Sequence, residues 1–240
     1  MQGVLIRNGL VFDAVSGGGK IAPIAFDGRI RGVGDDAIAW AAANPCREID
    51  ATGHTVMPGL IDAHCHISFD EPHSNDELFF HRREGLAAIA ACHNVRKLLR
   101  AGVTSCLDAD TIFSVSLDVR DAIEGGLVEG PRMVCGGNAL FTSVGGTAGM
   151  LVPDEGAIGY LKVTRTLAEI ITEVRLQAKR GVDWIKVHVT GLIPRQRGEG
   201  EIQVWSMDEL RAVVDTAHAL GLPVVGHCRN AQSTRDAARA

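Results

Sequence analysis

Leu60-Ile61-Asp62-Ala63-His64-Cys65-His66 follows the turn signal Pro58-Gly59, and its reading decides how the rest of the chain is taken. The apolar run is too short for a helix and opens on a Pro-Gly turn, so it predicts a buried strand. Side chains alternate faces along a strand, so His64 and His66 point one way and Cys65 the other. Two neutral imidazoles converging from one strand make two arms of a metal site. The spacing alone is weak. Its place at the end of a strand, ahead of a polar segment, strengthens it, and ligands from later strands must decide.

Downstream the pattern alternates. Asp76 to Ala101 reads as one long helix stopped by Gly102, followed by the strand Val103 to Asp108. A short helix near Val115 to Glu124 leads to a third strand, Arg132 to Cys135, and then to a long Gly-rich loop, Gly136 to Val152. A helix near Leu167 to Arg180, stopped by Gly181, precedes the strand Asp183 to Val189. Ser206-Met207-Asp208-Glu209 is a capping box opening the next helix, and Pro223 to Cys228 is the fifth strand, with a polar helix from about Ala231. Repeated βα units of about 41 residues imply a parallel sheet. With no Gly-x-Gly-x-x-Gly after the first strand, a TIM-type (β/α)8 barrel is favoured over a dinucleotide fold. Five units are present where a barrel needs eight.

Residues 1–56 read as short strands and turns: Val4 to Ile6, Gly9 to Phe12, Ile21 to Phe26, an Asp27-Gly28 hairpin and Ile30 to Val33. Gly17-Gly18-Gly19-Lys20 reads as a hairpin tip and lacks the spacing of a phosphate loop. The expected division is a small β unit, 1–56, and an incomplete barrel, 57–240. A hydrophobic share of 46% with 22% charged residues describes a soluble globular protein, and a net charge of −5 with interspersed signs points away from nucleic acid. No run reaches the ~18 apolar residues of a membrane span and no leader is visible. The six Cys include no Cys-x-x-Cys pair and read as reduced, so the expected location is the cytoplasm.

Lys186 lies inside the fourth strand, where a charged amine is costly to bury, so it must be neutral, paired or modified. His227 ends the fifth strand. His64, His66, Lys186 and His227 thus fall on strands that a barrel gathers at one mouth.

Leu60 to His66 resembles the first metal motif of the amidohydrolase superfamily. Asp183-Trp184-Ile185-Lys186-Val187 resembles the strand carrying its carbamylated lysine, and Val225-Gly226-His227 its next metal histidine. Residues 1–56 resemble the N-terminal part of its accessory β-sandwich. The resemblance implies two divalent ions: His64 and His66 on one, His227 on the other, and Lys186, carbamylated by carbon dioxide, bridging both. Zinc is the expected metal, with manganese, cobalt or iron as alternatives. A bridging water, acidified by cations about 3.5–4 Å apart, would attack an amide carbonyl. The sixth-strand His and eighth-strand Asp of the superfamily are not in this sequence. The chain is therefore expected to be partial, with open sheet edges and poor turnover alone. Asp108 and Asp110, at the end of the second strand, are read as loop or cap residues.

The run Ile185 to Gly191 is most similar to the prolidase and aryl-amidase branch, which hydrolyses dipeptides and N-acyl amino acids; imidazolonepropionase- or hydantoinase-like cyclic amidases come second. Lys186, and Asn230 in place of a Glu, argue against the mononuclear deaminases. His188 shares the face of Lys186 and is expected either to polarise the substrate carbonyl or to line the pocket. Arg195, Arg197 and Arg229 sit on loops where one can hold a substrate carboxylate. Gly145 to Gly149 reads as a flap or a plain surface loop, and His54, His73, His81, His93 and His218 as surface or packing residues. A homo-oligomer is expected of the complete protein. The competing class is a non-catalytic barrel protein kept for binding or assembly, which has no reason to hold all four ligand candidates.

Overall fold

The chain divides into two units, Met1–Gly59 and Leu60–Ala240. The computed structural model describes residues 2–69, 72–74, 76–144, 153, 159–192 and 200–240. Among them no helix is long and apolar enough to cross a membrane.

In the first unit, Gly3–Arg7 is flanked by antiparallel Ile24–Phe26 and parallel Cys46–Asp50, with Ile30–Val33 outside Ile24–Phe26. Leu10–Asp13 pairs with Gly18–Ile21 and Thr55–Val56 in a separate sheet. Two expectations change here. The strand Ile21 to Phe26 is split between the two sheets, because Pro23 has no N–H to give a ladder. The hairpin tip moves from residues 17–20 to the turn Asp13 to Gly17, closed by Gly17 N–H to Asp13 O at 2.9 Å with Gly17 at φ 68°. The Ala-rich segment Asp35–Ala43 is a helix that alternation-based reading passes over; Ala37 packs beneath it on Leu5 and Ala25.

In the second unit, Leu60–Cys65, Val103–Asp108 and Arg132–Cys135 lie parallel in chain order. Ala139–Phe141, Ile185–His188 and Val224–His227 continue the parallel order, joined to the first three through the Gly136–Trp184 bridge. Leu161–Val163 adds a further parallel strand on the other side of Ala139–Phe141. Among the described residues no strand pairs Leu60–Cys65 with Val224–His227, so these strands form an open parallel array.

Helices cover one face. Ala87, Ala91 and Val95 of Glu84–Arg100, Ile170 and Val174 of Leu167–Arg180, and Leu210, Val213 and Ala217 of Met207–Ala219 share one buried cluster with Cys106, Ile185 and Val187. Each valine, leucine or isoleucine among them contributes roughly 1.5–3 kcal/mol by leaving water. Local signals set the helix ends. Thr166 accepts from Glu169 N–H, Gly181 closes that helix at φ 84°, and Ser206 and Glu209 form the reciprocal capping box.

Three further expectations change. The helix 76–101 is two pieces, a π-helical turn Glu77–His81 and the α-helix Glu84–Arg100. The break falls where the Arg82 guanidinium turns inward to Glu77, at 2.8 and 2.9 Å. The loop beginning at Gly136 contains the buried strand Ala139–Phe141. The fourth strand ends at His188, after which Thr190–Leu192 turns into an antiparallel pair with Ile202–Gln203.

Candidate active site

Pairing of the strands brings the sequence-selected residues together. Ile185–His188 and Val224–His227 run in a register that sets His188 beside His227, and their rings stack with centroids 4.8 Å apart. His64 and His66 leave the end of Leu60–Cys65 with ring centroids 5.3 Å apart, while Cys65 turns to the helix side, its Sγ 3.5 Å from Leu107 O. Lys186 is 1% exposed. Burial first, with the neighbouring positive imidazoles, also lowers the pKa of His64, His188 and His227, and Lys186 is among the charges acting on all three and on His66. One amine and four imidazoles thus act on one another electrostatically.

Its walls are aromatic. Phe69 stacks on His66 at 4.7 Å, Phe141 lies 4.5 Å from the His188 ring, and Tyr160 packs on Phe69 and Phe141. Trp205 donates its indole N–H to His188 O at 2.7 Å, fixing the end of that strand.

Sequence reading missed the acidic members. Asp108 ends the strand Val103–Asp108 and Asp110 lies in the loop after it, but both are buried, 0% and 1% exposed, and act on the site. Asp108 accepts the Ile67 N–H at 2.8 Å and so fastens the backbone just past His66. Asp110 Oδ1 lies 2.9 Å from His66 Nδ1, and Oδ2 lies 3.6 Å from His188 Nε2. Burial pulls the loop in: Trp184 donates to Ala109 O at 3.1 Å and Thr111 N–H to Gly137 O at 3.2 Å. An Asp-x-Asp ending a buried strand before Ile112-Phe113 was the available signal, since carboxylates among apolar residues need partners. Glu201 was missed too. Its side chain, 7% exposed, accepts from Arg229 at 2.8 Å and from Thr190 at 3.1 Å, and Oε2 lies 3.9 Å from His227 Nε2.

The two carboxyls differ electrically. Burial pushes Asp108 up to about 7. Burial also pushes Asp110 up, but His188 and His66 more than offset it and hold it well below the usual carboxylate range. Burial lowers the Lys186 amine, only partly opposed by Asp110 and Asp108. Between pH about 4 and about 7, folded Asp108 holds a proton that the unfolded chain has released, so stability falls as pH rises through that window. Asp108→Asn lacks this loss. Its stability relative to wild type is expected to rise from pH about 4 to about 7 and level off above, by a few kcal/mol in order of magnitude. Urea unfolding of both proteins across that range checks the sign; a flat difference refutes it.

The other selected residues fall elsewhere. Arg229 is more than half exposed and is held by one guanidinium nitrogen to Glu201 at 2.8 Å. Arg195, Arg197 and the segment 145–149 lie outside the described residues. His54, His73, His81, His93 and His218 are exposed.

Among the described residues, no three His, Cys, Asp or Glu side chains close on one point as a metal cage. The donor chemistry nevertheless suits a divalent cation. His227 Nε2 is sealed from solvent without a hydrogen-bond partner among the described residues, and neutral imidazoles are the commonest protein nitrogen ligands.

A buried lysine and four histidines thus stand on or just past the carboxyl ends of parallel strands, where barrel enzymes place their catalytic groups. The Amidohydrolase family model matches residues 55–240, and the chain belongs to that family. An uncharacterized protein of Mycobacterium tuberculosis is 31% identical over 175 residues, 73% of this chain and 40% of its own. Ochratoxinase of Aspergillus niger is 28% identical over 183 residues, 68% of this chain and 36% of its own. A crystal structure of a prolidase complexed with N-methylphosphonate-L-proline superposes with a TM-score of 0.80 at 26% identity, over 99% of this chain and 59% of that one. The chain therefore spans about two fifths of these curated relatives and three fifths of that structure.

Proposed function

We propose that this chain carries the ligand-bearing strands of a metal-dependent hydrolase that cleaves a C–N amide bond, in a dipeptide, an N-acyl amino acid or an aryl amide. One observation carries the reading: Lys186, 1% exposed, lies within electrostatic reach of histidines from three strands and of Asp108 and Asp110, with no direct ion pair to either acid among the described contacts. Structural metal sites and ordinary cores have no use for a buried amine; a site that needs it neutral does. The prolidase and ochratoxinase relatives support the amide class. On this reading the open parallel array is part of a (β/α)8 barrel, with residues 1–59 contributing to an accessory β domain.

His64, His66 and His227 would hold the cations together with Lys186. A bound divalent pair supplies a hydroxide-like nucleophile at neutral pH and polarises the carbonyl. The protein's own residues prepare this chemistry. Burial keeps the Lys186 amine neutral at lower pH than a free lysine, and a neutral amine adds carbon dioxide to give an anionic carbamate. Phe69, Phe141 and Tyr160 exclude water from one side. His188, packed against Phe141 and His227 with Nε2 3.6 Å from Asp110 Oδ2, lines the pocket.

Metal analysis tests the reading. Chelated protein, dialysed against Zn2+, Mn2+ or Co2+, is expected to take up about two ions per chain with bicarbonate and fewer without it. Release of amine is then followed on Xaa-Pro dipeptides, N-acyl amino acids, aryl amides and a cyclic amide. Trace metal under every condition would overturn the proposal and favour a binding or assembly role.

A further inference from the structure

We propose that Asp110 is a positioning residue that sets the proton of two site histidines at once, placing it on Nδ1 of His66 and on Nε2 of His188. The carboxylate stands between the two rings, with Oδ1 2.9 Å from His66 Nδ1 and Oδ2 3.6 Å from His188 Nε2. It is 1% exposed, and its contacts with the two rings are electrostatic approaches off the line of a directed hydrogen bond, with neither oxygen accepting one from any described group. Its charge is therefore answered by these rings, not by solvent or backbone. A neutral imidazole carries one proton, and a buried anion favours the tautomer with that proton on the nitrogen facing it. In each ring the other nitrogen, Nε2 of His66 and Nδ1 of His188, is then the unprotonated one.

The carboxylate is itself rigid. Ala109 donates its N–H to Cys65 O at 2.9 Å and accepts the Trp184 indole, and Thr111 N–H is bound by Gly137 O, so the backbone on both sides of Asp110 is tied to neighbouring strands. An ordinary surface aspartate next to histidines has none of these ties. The loop after the second strand thus decides which nitrogens the first and fourth strands offer.

The value of this to a metal site rests on the function proposed above; the tautomers themselves do not. Two measurements on the full chain separate them. Long-range 1H–15N spectra of 15N-histidine-labelled, chelated protein, assigned with His66→Gln and His188→Gln, report the tautomer of each ring. Wild type is expected to show Nδ1–H on His66 and Nε2–H on His188, and Asp110→Asn, an isosteric change checked for folding by circular dichroism, to give mixed tautomers. Wild-type rings already mixed, or unchanged in Asp110→Asn, overturn the inference whatever the metal result. Zn2+ titration against a competing chelator is the second readout, with a 10- to 100-fold weakening expected in Asp110→Asn and partial recovery in Asp110→Glu. Wild type that binds Zn2+ while Asp110→Asn binds it equally well also overturns the inference. Wild type that fails to bind Zn2+ refutes the proposed function and leaves the tautomer result to decide on Asp110.

Discussion

Lys186→Met is expected to leave the metal-free protein as stable as wild type or more so, while weakening bicarbonate-dependent metal uptake by more than about 100-fold. Methionine matches the aliphatic stem of lysine and removes a buried amine whose desolvation is only partly met by Asp110 and Asp108. Exchanging buried charge for apolar side chains of similar volume is often neutral or stabilising by about 1–4 kcal/mol. The pH dependence gives a second check. The folded pKa of Lys186 is lowered, so between it and the unfolded value of 10.5 the unfolded chain binds more protons and wild-type stability rises with pH. The methionine variant lacks that rise, so its advantage shrinks toward high pH. Urea unfolding of chelated proteins and metal analysis with and without bicarbonate measure both arms. A variant that is destabilised yet takes up metal normally would make Lys186 a packing residue.

Phe141→Ala is expected to cost about 3–5 kcal/mol, the range for removing a fully buried phenylalanine, read as a lower urea midpoint with unchanged slope. Phe141 is 0% exposed on the short strand Ala139–Phe141 and lies against Tyr160 and His188. Its loss opens a cavity where that strand meets Ile185–His188, and it frees one face of the His188 ring. Histidine spectra should therefore show His188 disturbed more than His64. A loss below about 1 kcal/mol would mean the site collapses around the gap, and the aromatic wall would not be what orders it.

What could be read in the sequence depended on how local its cause was. The capping box at Ser206 and the Gly181 helix end are set within a few residues, and the structure places them as read. The five parallel strands were legible because each is a short apolar run between breakers. Ala139–Phe141 was hidden in a Gly-rich loop, since its strand character comes from pairing with Leu161–Val163 and Val187, 22 and 47 positions away. The break at Arg82 follows from an ion pair that periodicity does not encode. His64, His66, Lys186 and His227 were selected because each falls on a predicted strand of one barrel and together they resemble a known motif set. Asp110 and Glu201 were passed over because acids near turns are usually solvated, and only tertiary contacts through Ala109, Thr190 and Arg229 bury them.

Gly136 sits where three strands meet: its N–H binds Asp108 O, it bridges Trp184, and any side chain there would collide with Ala109 O and Trp184 Nε1. The contact that seats Asp110 therefore runs through a residue with no functional group at all. Tolerance to mutation in this protein should follow mechanical linkage as much as chemical role, and a methyl group at this crossing would act on the imidazoles as surely as editing one of them.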